Sequence, residues 1–371
     1  MARKPCFPVA VILPMYSIPL IPRMPARLAL AGLAVSLSAC NAVVMNPAGH
    51  IAKQQADLVV TSTLLMLLII VPVIALTLLF AWRYRASNKA ASYTPDWDHS
   101  TRLELIIWGA PLLIIIALGA ITWISTHKLD PYRPLERIDA QRAVPADVKP
   151  LEVEVVAMDW KWLFFYPEQG IATVNELAAP VDRPIRFKLT ASTVMNSFYI
   201  PALAGQIYAM PGMQSQLNAV INAAGVYDGF SANFSGDGFS QMRFKFHGLS
   251  QGDFDQWVAQ QKASPERLTR EAYLALDKPS IREPIRRYGA FDKGLFDAAV
   301  NRCVEPGKMC QHHMMAIDAA GGQGKGGITG TARQAWRDGE RTVVAALCTP
   351  DNISGAPALA GLLPAAVTAQ R

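Results

Sequence analysis

Residues 58–82 read LVVTSTLLMLLIIVPVIALTLLFAW and contain no charged side chain. An α-helix rises about 1.5 Å per residue, so this run is long enough to cross the roughly 30 Å hydrocarbon core of a bilayer. A second uncharged run covers residues 105–126. Aromatic side chains near the ends of both runs are typical of the membrane interface, and they are Trp82, Tyr84, Trp108 and Trp123. The sequence therefore predicts a transmembrane helical hairpin within residues 40–130.

The connection between the two runs has an excess of basic side chains. It carries Arg83, Arg85, Lys89 and Arg102 against Asp96 and Asp98. Because basic loops are retained in the cytoplasm, the connection is predicted to be cytoplasmic and the chain after about residue 129 periplasmic. The alternative, two buried helices of a soluble protein, is disfavoured by the length of the runs. The predicted location is the inner membrane, crossed twice, with a large carboxy-terminal domain in the periplasm.

The amino terminus, residues 1–39, is predicted to be a lipoprotein signal peptide. The run LALAGLAVSLSA (28–39) follows two arginines, is too short to span a bilayer and ends at Cys40. The ending LSAC resembles the bacterial lipobox, which makes Cys40 the expected site of lipidation. An ordinary signal that happens to end in cysteine is the alternative, and Met1 and Met24 are both candidate starts of translation.

The composition limits the classes of partner and metal site. Hydrophobic residues make up 51% of the chain and charged residues 17%, against about 25% charged in an ordinary soluble domain. The formal net charge is +6, yet no dense run of Lys and Arg is present, which argues against a nucleic-acid partner. None of the five cysteines lies between Cys40 and Cys303, and the others are Cys6, Cys310 and Cys348.

From residue 150 the pattern changes to short alternating stretches separated by Gly, Pro and Asn, such as LEVEVV (151–156) and MRFKF (242–246). Period-two stretches at this spacing predict an all-β domain over residues 150–260. Residues 264–313 return to helix-like patterning with several aromatic residues, and the Gly- and Ala-rich residues 318–371 are expected to form a poorly ordered tail. The predicted fold class is an α+β membrane protein.

Three ordered motifs carry a family resemblance. They are WRYRASNK (82–89), AMDWKWLFFYPEQG (157–170) and VMNSFYIPALAGQIYAMPGM (194–213). With the two predicted spans, they resemble subunit II of the haem–copper terminal oxidases over roughly residues 40–304. The resemblance implies that the periplasmic domain has a cupredoxin-like fold and that the aromatic-rich segment is the carboxy-terminal arm of this family.

In the cytochrome c-oxidising branch of this family, the periplasmic domain holds a two-copper centre. Its ligands are an upstream His and a loop with the pattern Cys-x-Glu-x-Cys-x3-His-x2-Met, because thiolates and imidazoles suit copper. Here the upstream His position falls on Asn196, and the loop positions fall on Ser231, Asn233, Ser235, Phe239 and Met242. Between residues 150 and 246 there is neither Cys nor His, so no metal site of this type is expected.

The same resemblance selects the copper-less branch, the cytochrome bo-type ubiquinol oxidases. It implies subunit 2 of a respiratory complex that couples ubiquinol oxidation to reduction of oxygen to water and to proton pumping. The implied role is structural, with no catalytic residue and no bound cofactor, and with haems and one copper in subunit I. The implied partners are oxidase subunits I, III and IV and membrane lipid, without soluble cytochrome c. The alternatives are a cytochrome c oxidase subunit II and a membrane-anchored copper-delivery lipoprotein, both disfavoured by the missing ligands.

Two further residues take roles from the resemblance. Glu104 opens the second run, and the family has a glutamate at the mouth of a proton-uptake path into subunit I at this place. A carboxylate favoured at a helix start by the macrodipole, without further role, is the alternative. Trp160 falls on the tryptophan through which electrons enter in the cytochrome c branch. Without copper beneath it, Trp160 is expected only to pack.

Cys303 and Cys310 flank the turn-like segment VEPGKM in an oxidising compartment, which favours a local disulfide. Cys348 leaves an odd number and is an alternative partner for either. His312 and His313 follow directly, so a low-affinity metal site is a second, weaker hypothesis for this segment.

Overall fold

The computed structural model describes residues 42–92, 94 and 96–319. After a 3₁₀ turn at Val43–Met45, two long helices follow, α1 at His50–Arg83 and α2 at Thr101–Lys128. Both are long and apolar enough to cross a membrane, and α2 buries none of its side chains. The helices continue into polar residues beyond both ends of the predicted spans, since their backbone hydrogen bonding does not stop at the edge of the hydrocarbon core.

Two sheets form the periplasmic domain. One has the strand order β3-β2-β1-β5-β8, with a sixth strand, residues Arg286–Tyr288 (β12), at the edge beside β3, and the other has the order β4-β10-β9-β6-β7. The strands of the sandwich are β1 Leu151–Met158, β2 Lys161–Tyr166, β3 Ile171–Val174, β4 Glu176–Pro180, β5 Ile185–Ala191, β6 Asn196–Tyr199, β7 Ile207–Ala209, β8 Ser215–Ala219, β9 Gly225–Ser231 and β10 Arg243–Leu249. The predicted fold class, a helical hairpin followed by a β domain and an aromatic-rich segment, is confirmed.

Aromatic side chains fill the space between the two sheets. Phe198 stacks on Phe244 with ring centroids 5.3 Å apart, and Trp162 meets Phe198 edge-on at 5.3 Å. All three are buried. The close approach requires Gly229, because a Cβ at this position would lie 2.1 Å from Phe244. This cluster fixes the separation of the sheets and thereby the positions of the loops at their ends.

The carboxy-terminal arm comprises residues 251–319. Its first helix packs in the inner core through Phe254, Trp257 and Val258, and the residues from Leu268 to Val304 cover the outer face of the six-stranded sheet. It contains α3 Gln251–Lys262, β11 Arg267–Leu268, α4 Arg270–Leu276, β12 Arg286–Tyr288, β13 Ala290–Phe291, α5 Leu295–Val300 and α6 Gln311–Ala319. Strand β12 pairs antiparallel with β3 and becomes the edge of the sheet. The arm is therefore less helical than its sequence pattern indicates. It begins at residue 251, and α6 continues past residue 318, where the tail was predicted to start.

The start of α1 is attached directly to the periplasmic domain. The backbone N–H groups of Ala48 and Gly49 both donate to Ala202 O at 2.9 Å. A Cβ at Gly49 would lie 2.6 Å from the carbonyl oxygens of Leu203 and Val220, so only glycine fits here. The membrane hairpin and the sandwich consequently share a close backbone contact.

Candidate functional site

The loop at the end of β9 is the candidate site, because the sequence resemblance places the expected ligand positions of the cytochrome c branch on it. It runs from Ser231, the last residue of β9, to Met242, just before β10. Asn196 begins β6, which pairs with β9 through Phe198 and Ser231. Strand pairing therefore brings the upstream position and the loop together, as the alignment of the motif predicts.

Hydrogen bonds connect these positions to one another. The Ser231 hydroxyl lies 3.1 Å from Asn196 Oδ1, to which it donates, and 3.2 Å from Asn233 O. The Asn233 amide Nδ2 donates to Met195 O at 3.2 Å. Asn196 and Ser231 are buried, and their polar groups are paired within this network. Local hydrogen bonding thus fixes the loop against β6.

Trp160 packs on the same loop from the turn between β1 and β2. Its indole Nε1–H donates to Ser235 O at 2.9 Å. A Cβ at Gly238 would lie 2.4 Å from the indole ring, and Gly236 adopts a φ of +110°, so both glycines are needed beneath the ring. Trp160, which the resemblance aligns with the electron-entry tryptophan of the cytochrome c branch, here packs on the loop and holds it by a hydrogen bond.

The residues of the loop do not fit a pair of copper ions. Hydroxyl and amide groups occupy the thiolate, carboxylate and first imidazole positions, and the Phe239 ring occupies the second imidazole position, where it packs on Phe234. Met242 is fully buried in the sandwich core, a common place for methionine. Amides and hydroxyls are weak donors for a metal that prefers thiolate and imidazole. Among the described residues, no group of three His, Cys, Asp or Glu side chains could hold a metal ion.

Glu104 lies in the first turn of α2, far along the chain from this loop. Its Oε1 atom is 2.7 Å from His99 Nδ1, and His99 Nε2 is 3.1 Å from Thr101 Oγ1. The side chains of His99 and Glu104 are 64% and 50% exposed. The sequence pattern indicates Glu104 but not His99, because their contact depends on the conformation of the connection between the helices.

Comparisons with known proteins identify the family of the chain. The family profile described as "Cytochrome C oxidase subunit II, periplasmic domain" matches residues 151–247, and "COX Aromatic Rich Motif" matches residues 262–307. A cytochrome bo(3) ubiquinol oxidase subunit 2 from Pseudomonas putida is 52% identical over 72% of this chain and 82% of that protein. The protein of the same name from Pseudomonas aeruginosa is 47% identical over 79% of this chain and 84% of the relative. A ubiquinol oxidase subunit 2 from Acetobacter aceti is 48% identical, covering 74% and 87%.

The chain belongs to the ubiquinol oxidase subunit 2 family. The predicted family and its aromatic-rich arm are therefore confirmed. Family membership makes the chain a subunit of an oxidoreductase complex, and its two apolar helices and periplasmic domain indicate an inner membrane protein.

In this family member, a disulfide joins Cys303 and Cys310 at the end of the arm. The rings of His312 and His313 pack against each other at 4.0 Å in the first turn of α6. The predicted lipidation site Cys40 and the alternative disulfide partner Cys348 lie outside the described residues, as does nearly all of the predicted tail.

Lys161 is a buried charged residue that was not predicted from the sequence pattern. Lys161 opens β2 and its side chain has no solvent exposure. Its ammonium group donates to Asp159 O at 2.9 Å, Lys278 O at 2.8 Å and Ser280 Oγ at 2.7 Å. Burial lowers the pKa of Lys161, while nearby Glu283 opposes this effect. The sequence does contain a signal for this buried ammonium group, because Lys161 directly precedes the apolar residues WLFFY.

Proposed function

We propose that the chain is the copper-less subunit 2 of a proton-pumping ubiquinol oxidase of the cytochrome bo type. Its role is structural: it covers the periplasmic side of the catalytic subunit and supports assembly. Haems and one copper are assigned to subunit I, and subunits I, III and IV are the proposed partners. The family relationship and the topology of the two helices support this proposal.

The donor set of the β9–β10 loop is the observation that carries the choice of electron donor. A soluble cytochrome c delivers single electrons from the periplasm and needs a redox centre there to receive them. The loop offers Ser231, Asn233 and Ser235 in place of soft ligands, and the Ser231 hydroxyl and the Asn233 amide already form hydrogen bonds within the protein. A lipid-soluble quinol reaches the complex within the membrane and does not need this port.

The test is oxygen uptake by the complex purified with its native partners from membranes. We expect rapid uptake with a short-chain ubiquinol and none above background with reduced cytochrome c. Copper analysis of the same preparation should give about one copper per complex, all of it in subunit I. Oxidation of cytochrome c at a rate similar to that of quinol, or the spectrum of a mixed-valence copper pair in this subunit, would exclude the proposal.

Glu104 is the proposed point of proton uptake on the cytoplasmic side. A carboxylate at the membrane boundary exchanges protons with water, and the imidazole of His99 at 2.7 Å provides a second group able to pass a proton to it. Because the dipole alone would also favour a carboxylate in the first turn, only a functional measurement separates the two roles.

Replacement of Glu104 by Gln should slow quinol-driven oxygen reduction and proton release severalfold, while subunit composition and haem content remain normal. His99→Asn should give a smaller decrease, because Glu104 then lacks its imidazole partner but still faces water. Asp98→Asn is the matched control, since it removes a neighbouring carboxylate of the same connection. Equal turnover and pumping in Glu104→Gln and in the control would leave Glu104 with a structural role.

The lipid on Cys40 is the remaining part of the proposal, and the lipobox-like sequence supports it. An acyl anchor at this position would hold the residues before α1 at the periplasmic surface. Intact mass measurement of the mature subunit tests this directly. A mass equal to residues 40–371 plus a diacylglyceryl group is expected, and an unmodified mass would rule out the anchor.

A further inference from the structure

A groove is present where the helical hairpin meets the periplasmic domain. One cavity of about 350 Å³ lies between the first turns of α1, the segment that follows α2, and β8. A second cavity of about 270 Å³ lies lower, between α1 and α2. Gln54, Lys128 and Leu129 line both cavities, so they adjoin. Together they form what we call the interfacial groove.

The lower part of the interfacial groove has an apolar wall beside polar side chains that include Asp57, Thr61 and Ser125. Leu58 on α1 faces Ile121 and Ile124 on α2 across it. This level is the periplasmic end of the apolar run of each helix. An open channel between two helices at this depth is in contact with acyl chains of the outer leaflet.

The upper part of the interfacial groove is charged. Lys128, Arg133 and Arg137 line it together with Asp130 and Glu136. Arg133 is neutralised by Glu136 at 2.6 Å, whereas the Arg137 guanidinium donates to the backbone carbonyls of Asp139 and Ala140. Within the described part of the chain, neither Lys128 nor Arg137 is in an ion pair with a carboxylate. Two positive charges therefore remain without a protein counter-ion, while Asp130 supplies a negative charge nearby.

The rim of the interfacial groove is held in place by the sandwich. The Asn218 amide on β8 donates to Pro131 O at 3.1 Å and to Tyr132 O at 3.2 Å. Asn222 donates to Ile138 O at 3.0 Å, and Arg137 forms an isolated bridge with Ala143. The segment after α2 thus has a defined conformation, and the charged upper part is preformed.

We propose that the interfacial groove binds one glycerophospholipid of the periplasmic leaflet. Its phosphate diester lies between Lys128 and Arg137, and one acyl chain extends along Leu58, Ile121 and Ile124. Leu58, Ile121 and Ile124 at the lower end suit the acyl chain, and the two cations without a carboxylate partner at the upper end suit the phosphate. Asp130 favours a headgroup that also carries an amine, such as phosphatidylethanolamine. The proposal requires the two-span topology but not the proposals on electron donor and proton uptake.

Native mass spectrometry of the complex, purified through a tag on this chain and stripped of loosely bound lipid, tests the site. Phosphatidylethanolamine of defined mass is added back to wild type, to K128E/R137E, and to the control K262E/K293E, which reverses two exposed lysines of the arm. Since basic groups near a membrane attract lipid phosphate and acidic groups repel it, retention should fall at least about tenfold in K128E/R137E. The control should retain the wild-type number of lipids.

A second variant and a competitor separate a lipid from a free phosphate. Ile121→Trp fills the apolar part, keeps both cations, and should also lose the retained lipid. Inorganic phosphate at millimolar concentration should not displace the lipid. Equal retention in K128E/R137E and control, unchanged retention in Ile121→Trp, or full displacement by inorganic phosphate would each overturn the proposal. If K128E/R137E does not assemble, K128Q/R137Q takes its place with the same expected direction.

Discussion

The two faces of the six-stranded sheet are packed by different means. The inner face meets the second sheet, and its side chains from β1 and β2 are apolar or aromatic, such as Val153, Val155 and Phe164. The outer face meets the carboxy-terminal arm, and there the same two strands present Glu154 and Lys161 among apolar residues. The inner face of the sheet is thus held by apolar packing, whereas the outer face also buries two ionisable side chains under the arm. The arm is therefore the part of the domain that should respond most to pH and to polar substitutions.

The largest expected effect is on the inner face. Phe198→Ala removes the ring that stacks on Phe244 and contacts Trp162, leaving a cavity between the sheets. Such a change should lower the free energy of unfolding by about 3–5 kcal/mol. Denaturant unfolding of the full-length chain in detergent, followed by tryptophan fluorescence, measures it. Phe234→Ala is the control because Phe234 is 76% exposed, and a similar loss there would contradict the packing argument.

On the outer face, Lys161→Ala should have the next largest effect. It removes the donor of three hydrogen bonds, so that Lys278 O and Ser280 Oγ lose this partner, while Asp159 O still accepts from the Ser280 N–H. A loss of roughly 2–3 kcal/mol is expected, confined mainly to the arm. Hydrogen exchange of the backbone around Ser280 in the full-length chain measures this.

Lys161→Met is the matched variant because it fills the same space without a charge. It should lose less stability than Lys161→Ala, though both lack the hydrogen bonds. If hydrogen exchange in Lys161→Ala increases no more in the arm than in β9 and β10, then Lys161 stabilises the whole domain and not specifically the arm.

The disulfide should contribute less. Cys303 and Cys310 are seven residues apart, and a loop of this length corresponds to about 2 kcal/mol in the chain-entropy description. The double variant C303S/C310S should therefore increase proteolysis of the arm while the sandwich stays resistant. Treating wild type with a reductant should reproduce the pattern of the double variant, and reductant should not change the double variant further.

The smallest expected effect is a pH dependence on the outer face. Burial raises the pKa of Glu154 from 4.5 to about 7, with Lys188 opposing this shift and Glu152 and Asp297 adding to it. The folded state then binds more protons than the unfolded state between these values. Stability contributed by protonated Glu154 is consequently complete below about pH 4.5 and is lost as the pH rises through about 7.

Glu154→Gln should remove this loss and stabilise the arm at pH 8 by about 1 kcal/mol. Unfolding midpoints of wild type and variant between pH 5 and pH 8 would test the sign (about three pH units span the titration of one carboxyl). A difference that is the same at every pH would show that Glu154 remains charged throughout.

Several features could be predicted from the sequence because they depend on local pattern. The two apolar runs predicted the helices, and the resemblance pointed to Asn196 and Ser231, which are hydrogen-bonded in the structure. The strand KWLFFY was harder, because both of its faces are buried and the alternation of apolar and polar residues is lost. The contact of His99 with Glu104 and the three bonds of Lys161 depend on long or irregular connections, which period and composition do not specify.

Gly49 has a mechanical consequence. A side chain at this position would collide with the carbonyl oxygens of Leu203 and Val220, and the Gly49 N–H donates to Ala202 O. The first membrane helix is therefore held against the sandwich by backbone contacts where the two meet. A change in the tilt of that helix must then be accompanied by rotation of the whole sandwich. Bilayer thickness, which sets helix tilt, should in this way also set the height of the domain above the lipid surface.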